Sequence, residues 1–229
     1  MRAWLLIAIL LPTSALASND RAVDILHYAV ALVPDIAGKR VTGQMSVTLK
    51  ATHKDATVVV LDSGELNVTS VTHSNRALAF EQRDGRLRIT LDQPAPTDSP
   101  TTLQLHYEGA PPFGLEFAPE RDEVYTVFST SQWMPSIDAP DERATLALSL
   151  TLPPGLKAAG TGRALPPHAL PDGRVEHRWM LASPMPAYVY GFAAGRYQPA
   201  TLTHGKSPLH LPSVDRSPQE LGQIFARPR

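Results

Sequence analysis

Histidines are the possible nitrogen ligands of a zinc ion in this chain, which contains eight of them and has no cysteine to supply a thiolate. The pattern His-Glu-x-x-His, which places two zinc ligands on one helix face with a glutamate base between them, does not occur. The inverted pattern fails too, since Gly173 stands where its first histidine would be. His204 and His210 lie six residues apart in a proline-interrupted segment, which we expect to be a loop and not a zinc site. The sequence predicts no metal site and no cofactor in this chain alone, with histidines such as His106 on solvent-facing sides of strands.

Serine and carboxylate chemistry also finds little support in the sequence. There is no Gly-x-Ser-x-Gly elbow, and Gly160-Thr161-Gly162 lacks the further glycine and the βαβ context of a nucleotide-binding loop. Asp138, Asp141 and Glu142 could serve as paired carboxylates in a hydrolase. We favour a solvated turn between two strands, in which Arg143 offsets part of the negative charge. No residue is therefore assigned as catalytic, as metal-binding or as substrate-binding.

Aromatic side chains could form a platform for a sugar or a peptide. Tyr188, Tyr190 and Phe192 alternate and would share one face of a strand, with Trp179 on a neighbouring strand. We favour the core of a β-sandwich for this group of rings.

The elements that would position these residues are strands, because apolar and polar residues alternate through most of the chain. In 44–52, for example, the apolar residues Met45, Val47 and Leu49 point one way and polar residues point the other. The Asp84-Gly85 pair indicates a two-residue hairpin turn, and the proline-rich stretches 92–100 and 164–172 indicate loops. The sequence predicts an all-β, mostly antiparallel fold of about eleven strands. The predicted strands are 24–33, 44–52, 57–61, 67–73, 77–83, 86–91, 102–107, 123–128, 145–152, 174–181 and 187–197.

Composition and charge restrict the possible partners. Hydrophobic residues make up 43% of the chain, so a real core is expected. Lys and Arg number 21 against 22 Asp and Glu, which argues against a nucleic-acid partner. The apolar run 3–11 is too short for the roughly 20 residues of a membrane span.

The first seventeen residues have the features of a cleavable signal peptide. Arg2 supplies a positive charge before the apolar run, and Ala15-Leu16-Ala17 is a small-x-small cleavage site. We expect cleavage after Ala17, which makes Ser18 the first residue of a periplasmic or secreted protein.

A helix is predicted to begin at the C-terminal end of the chain. Ser217 can cap it, Pro218 takes its first position, and Glu220 follows three residues after the cap. The remaining residues are too few for an autonomous helix. We therefore expect three segments: a signal peptide at 1–17, a β domain at 18–212, and at 213–229 the start of a following helical or catalytic domain.

The segment from Gln132 to Pro140, with Arg143 to Leu146 after it, resembles a motif of the aminopeptidase N family of zinc metallopeptidases. In that family an aromatic-Pro-Cys-aromatic-Asp-Glu-Pro segment leads through Lys-Ala-Thr-Phe into a strand. Asp138, Pro140, Ala144 and Thr145 are identities, and Ser136 replaces the usual cysteine.

Two further segments strengthen the resemblance. Pro184–Gly195 is similar to the Pro-Met-Ser-x-Tyr-Leu-x-x-Phe-x-x-Gly stretch that closes the family's N-terminal β domain, and Asp24–Tyr28 is similar to its first strand. The resemblance covers about residues 22–200.

The resemblance implies a saddle-shaped, mostly antiparallel β domain that packs on a thermolysin-like zinc domain and walls the substrate cleft. In the family this domain also contributes a Gln or Glu that anchors the substrate's amine. Here the segment Tyr125–Gln132 departs from the family pattern, so no residue is assigned to that role. The zinc ligands, the general base and a Gly-x-Met-Glu-Asn motif belong to the second domain, and none of them occurs in this chain.

We therefore expect the N-terminal domain of an exported, aminopeptidase N-like zinc metallopeptidase, inactive without its zinc domain. The parent enzyme would use zinc to remove N-terminal residues from peptides. An alternative is a free-standing periplasmic β-sandwich that binds a peptide, a sugar or another protein.

Overall fold

The computed structural model describes residues 21–204, 207–213, 219, 220 and 223. This part of the chain forms seventeen strands and three short 3-10 helices, the latter at Pro119–Arg121, Thr130–Gln132 and Ala187–Val189. The strands are β1 (Val23–Asp35), β2 (Arg40–Ala51), β3 (Val58–Asp62), β4 (Asn67–His73), β5 (Arg76–Ala77), β6 (Ala79–Arg83), β7 (Arg86–Thr90), β8 (Thr101–Gly109), β9 (Leu115–Ala118), β10 (Glu123–Thr126), β11 (Ala144–Leu152), β12 (Lys157–Gly160), β13 (Arg163–Ala169), β14 (Val175–Met185), β15 (Phe192–Gly195), β16 (Gln198–His204) and β17 (Ser207–Ser213).

The strands form one large sheet and three smaller ones. The large sheet has eight strands in the order β13-β14-β11-β1-β2-β8-β4-β5. A four-stranded sheet has the order β12-β15-β10-β9, a three-stranded sheet the order β3-β7-β6, and β16 pairs with β17. The pair β1–β11 is parallel and the other described pairs are antiparallel. The prediction of an all-β, mostly antiparallel fold is confirmed.

Alternation along the strands explains how these sheets share one core. In β2, which lies between β1 and β8, the side chains of Met45, Val47 and Leu49 are buried, whereas that of Gln44 is exposed. A single cluster of buried residues includes side chains from the eight-, four- and three-stranded sheets. The buried face of the large sheet therefore packs against the inner faces of the two smaller ones, and burial of that apolar area drives the assembly.

The turn between β6 and β7 confirms a prediction made from two residues. Asp84 and Gly85 have φ angles of 51° and 72°, and Arg83 pairs with Arg86 across the turn. Two successive positive φ angles define the tight hairpin that Asp-Gly sequences favour.

The prediction of a loop at 164–172 is wrong over most of its length. Residues 163–169 form β13 at the edge of the large sheet, where its pairing with β14 shifts register between Leu165 and His168. Pro166 and Pro167 lie at this register shift. An edge strand tolerates prolines at such a position because the N–H groups on its outer side form no hydrogen bonds with a neighbouring strand.

Other strand predictions also need correction. The short strands β9 and β12 lie outside every predicted strand, and the predicted strand 187–197 divides into a 3-10 helix and β15. His204 and His210 lie on the paired strands β16 and β17, not in a loop.

Two predictions lie mainly outside the described residues. The signal peptide at 1–17 is one, and the domain start at 213–229 is the other, since only 213, 219, 220 and 223 of that segment are described. Within the described part of the chain, no helix has the length and apolar character needed to cross a membrane.

Candidate functional site

The segment Gln132–Ile137 is buried, although it connects elements and forms no strand of its own. The Tyr107 hydroxyl donates a hydrogen bond to the Trp133 carbonyl at 3.1 Å, and the Ile137 amide donates to the Tyr28 hydroxyl at 3.0 Å. Burial raises the pKa of both tyrosines, so the two phenols stay neutral and act as hydrogen-bonding groups. The segment that carries the sequence motif therefore ties β1 to β8 through the core.

Ring contacts extend this buried motif segment to the second one. Trp133 meets Phe192 edge to face with ring centroids 5.5 Å apart, and Tyr28 meets Tyr190 in the same way at 6.4 Å. Tyr190, Phe192 and Trp179 are buried, which confirms the interpretation of these rings as core. For Tyr188 that interpretation is wrong, because residues 187–189 form a 3-10 helix and leave this ring 46% exposed.

The three carboxylates proposed as a hydrolase site do not form one group. Glu142 is only 5% exposed, accepts a hydrogen bond from the Ile25 amide at 2.6 Å, and lies 3.2 Å from the Arg21 guanidinium. Asp141 pairs with the same arginine at 2.7 Å. The solvated turn that we expected is therefore wrong for Glu142, and the described counter-charge is Arg21, 120 residues from Asp141, and not Arg143.

Asp138 has a different neighbour. Its amide donates to a carboxylate oxygen of Asp62 at 3.0 Å. Burial, and then the nearby charge of Asp62, raise the pKa of the Asp138 carboxyl. The carboxylates thus divide between two structural contacts, one at Arg21 and one at Asp62.

The donor groups of the described residues do not fit a zinc site. No three His, Asp or Glu side chains in this part of the chain lie close enough together to hold a metal ion. His106 is exposed on β8, as predicted, His27 bonds the Thr145 hydroxyl at 2.6 Å, and His177 stacks on Trp179. These histidines lie on separate strands, so no catalytic step can be derived through a metal held by them.

Two loops and the adjacent 3-10 helix Ala187–Val189 carry a group of exposed apolar side chains. The Val127 amide donates to the Gly114 carbonyl at 3.0 Å, and the buried Thr130 hydroxyl donates to the Ala187 carbonyl at 2.7 Å. These bonds hold the loops together at one end of the four-stranded sheet. The group, which we call the Phe128 surface, consists of Phe113, Val127, Phe128, Tyr188 and Val189, with exposed fractions of 51%, 40%, 78%, 46% and 37%.

The backbone of this surface is strained at Phe128 and Ser129. Phe128 and Ser129 have φ angles of 49° and 44°, in the left-handed region that non-glycine residues avoid at a cost of about 1–2 kcal/mol each. Since the Phe128 ring is mostly exposed, its packing within the chain offsets little of this strain energy. Such strain is found where the surrounding structure holds a residue for contact with another molecule. The alternation pattern predicts Phe128 inside a strand, whereas β10 ends at Thr126, so alternation does not indicate this surface.

Comparisons with known proteins converge on one family. A model of the peptidase M1 N-terminal domain matches residues 25–189. A search of curated proteins by sequence found no match.

Solved structures share the fold at low sequence identity. A two-domain M1 zinc metallopeptidase variant bound to L-tryptophan is 22% identical, with a TM-score of 0.72 over 83% of this chain and 47% of its own. An M1 zinc metallopeptidase from Deinococcus radiodurans is 21% identical, with a TM-score of 0.70 over 83% of this chain and 46% of its own. A variant from the same organism, bound to a Tyr-Ser-Ala substrate, is 22% identical with a TM-score of 0.72, over 82% and 46%. The chain therefore spans less than half the length of these structures.

Proposed function

Because the chain belongs to the peptidase M1 N-terminal domain family, we propose that it walls the substrate cleft of an aminopeptidase N-like zinc metallopeptidase. The family match over residues 25–189 carries this proposal, since it includes the buried motif segment and nearly all of the large sheet. The parent reaction is the removal of N-terminal residues from peptides, with zinc supplied by a second domain. This chain lacks the His-Glu-x-x-His pattern, so we expect no peptidase activity from it alone.

The Phe128 surface is the part of the chain that we assign to contact with the zinc domain. Exposed apolar patches on soluble proteins mark sites of association. Its loops are held by hydrogen bonds from Val127 and Thr130, so the surface is already ordered before a partner binds. A preorganised aromatic surface loses little conformational entropy on association, which favours affinity.

Replacing Phe128 by asparagine separates a role in binding from a role in folding. Asparagine tolerates the left-handed backbone and removes an exposed ring, so the free energy of unfolding should stay the same or rise by up to about 1 kcal/mol. Affinity for the zinc domain, supplied as a separate chain, should fall about tenfold or more, as expected for a central aromatic contact. Chemical denaturation and titration calorimetry measure the two effects.

Met180→Gln is the matched control, because Met180 is 39% exposed on the large sheet outside the Phe128 surface. It should leave both quantities unchanged. The chain alone is assayed for zinc stoichiometry and for hydrolysis of aminoacyl anilides; stoichiometric zinc with turnover would overturn the proposal. If the chain binds no zinc domain and instead binds a sugar or a peptide through this surface, the alternative hypothesis of a free-standing binding module is correct.

We also propose that the chain is exported through its signal peptide. Support comes from the order of Arg2, the apolar run 3–11 and the cleavage site at Ala15–Ala17. Expression in a bacterial host should deliver the protein to the periplasm, and its measured mass should be that of a chain whose first residue is Ser18. Retention of Met1 on cytoplasmic protein would contradict this assignment.

A further inference from the structure

The outer edge of strand β3 forms backbone hydrogen bonds at both of its ends and none between them among the described residues. At one end the Ala95 amide donates to the Ala56 carbonyl at 2.9 Å. At the other end, Asp62 and Ser136 exchange two backbone hydrogen bonds of 2.7 and 2.9 Å. Val58 and Val60 lie between these two points.

Alternation of the backbone determines where the polar groups of these two valines point. Since both backbone groups of Asp62 face Ser136 and not β7, the groups two and four residues earlier face the same way. The Thr57 carbonyl, of opposite parity, accepts from the Leu91 amide on the β7 side, which agrees with this assignment. The N–H and C=O groups of Val58 and Val60 therefore have no hydrogen-bond partner among the described residues. We call these four backbone groups the unpaired half-ladder.

A groove of about 590 Å³ runs beside this open edge. Its far wall is formed by residues 21–23 and by 137–139, the segment that leaves β3 after Ser136. This volume is within the range of small-molecule and peptide pockets. Between its two bridged ends the edge carries no charged side chain and no proline, two of the devices that protect a strand edge, since Val58 and Val60 are β-branched and uncharged.

One end of the groove carries two carboxylates. Asp138 and Asp62 both line it, and no cation lies within ion-pairing distance of the Asp138 carboxylate among the described residues. Three arginines line the groove as well: Arg86, whose guanidinium is 3.9 Å from Asp62, Arg88, and Arg21, which is paired with Asp141 and Glu142. A cation delivered from the groove would therefore reach Asp138 without competing with an existing ion pair.

We propose that β3 binds an extended peptide, which adds a strand at Val58 and Val60 and places a Lys or Arg side chain against Asp138. Main-chain hydrogen bonds to the unpaired half-ladder provide the affinity, as in other strand-addition complexes, and the carboxylate provides the choice of side chain. This site is separate from the Phe128 surface and does not depend on the function proposed for it.

Binding of a short Val/Thr peptide with a central Lys to the full chain, followed by fluorescence anisotropy, tests the proposal. Val60→Pro removes an N–H that points away from β7, so the ladder with β7 is kept and affinity should fall about tenfold. Val60→Thr, which keeps the N–H, should bind as wild type does. Asp138→Asn should weaken binding of the Lys peptide about threefold and leave a peptide with Gln in place of Lys unaffected.

The remaining outcomes of these experiments also support or refute peptide binding at β3. Should Val60→Pro fail to fold, the wild-type chain is titrated with a peptide N-methylated on its pairing face, whose affinity should fall by a similar factor. Equal binding of the N-methylated and unmodified peptides would refute strand addition. Tighter binding of a Glu peptide than of the Lys peptide would refute the assigned charge. A dimer of the chain that Val60→Pro abolishes would assign this edge to a second copy and overturn the proposal.

Discussion

Trp133→Ala should lower the free energy of unfolding by about 3–5 kcal/mol, the range for removing a fully buried aromatic side chain. Trp133 has no exposed surface, and its ring lies edge to face with Phe192. Its carbonyl also accepts a hydrogen bond from the Tyr107 hydroxyl, so a shift of the backbone into the cavity would weaken the contact between the motif segment and β8. Because a domain of this size is stable by only about 5–15 kcal/mol, this single change would remove a large part of the total. Urea denaturation with an unchanged m-value measures the effect.

Trp133→Phe is the control for this prediction. The Trp133 Nε1 group is buried without a hydrogen-bond partner in the described structure, so its indole N–H contributes a desolvation cost and no bond. Phenylalanine keeps a ring against Phe192 and removes that donor, and the loss should be no more than about 2 kcal/mol. If Trp133→Ala unfolds at the same urea concentration as wild type, the motif segment does not stabilise the core as described.

The buried motif shows what a sequence pattern could predict and what it could not. The segment Gln132–Pro140 identified the family, and the peptidase M1 N-terminal domain match confirms that resemblance. The pattern did not show that Trp133 and Ile137 are held by the hydroxyls of Tyr107 and Tyr28. These partners are more than 25 residues away, and no local signal links a tyrosine hydroxyl to a distant backbone group.

Strand prediction failed where the strands were short or carried prolines. Strands such as β2, with one buried and one solvent-facing side, alternate over many residues and were found. β9 and β12 have four residues each, too few for the period to be seen, and β13 contains Pro166 and Pro167. The unpaired edge of β3 was also invisible to the sequence, because it depends on where Ser136 and Ala95 arrive in space.

Removal of the Glu142 carboxylate has the second large expected effect. Glu142→Ala should lower the free energy of unfolding by about 3 kcal/mol, since it leaves the Ile25 amide without an acceptor and Arg21 without one of its two partners. Glu142→Gln keeps an acceptor for the Ile25 amide and removes the buried charge, so its stability should lie within about 1 kcal/mol of wild type. Thermal and urea unfolding of both variants at neutral pH check this difference.

The dependence on pH gives an independent check of the same contact. Burial raises the pKa of the Glu142 carboxyl, and the opposing effects of the Ile25 amide and Arg21 are smaller. A carboxyl whose pKa is higher in the folded state binds its proton more tightly there. Its contribution to stability is fully present below the unfolded-state pKa and is lost as the pH rises through the folded-state value.

The free energy of unfolding of wild type, relative to Glu142→Gln, should therefore fall between acidic and neutral pH. Arg21→Ala should enlarge this fall, because it removes the cation that favours the ionised form. In the Glu142→Gln background, Arg21→Ala should cost less than it does in wild type, and a double-mutant cycle at neutral pH measures that coupling. A wild-type stability that instead rises with pH relative to Glu142→Gln would mean that Arg21 outweighs desolvation. The ion pair between the residues that precede β1 and β11 would then stabilise the fold by its charge.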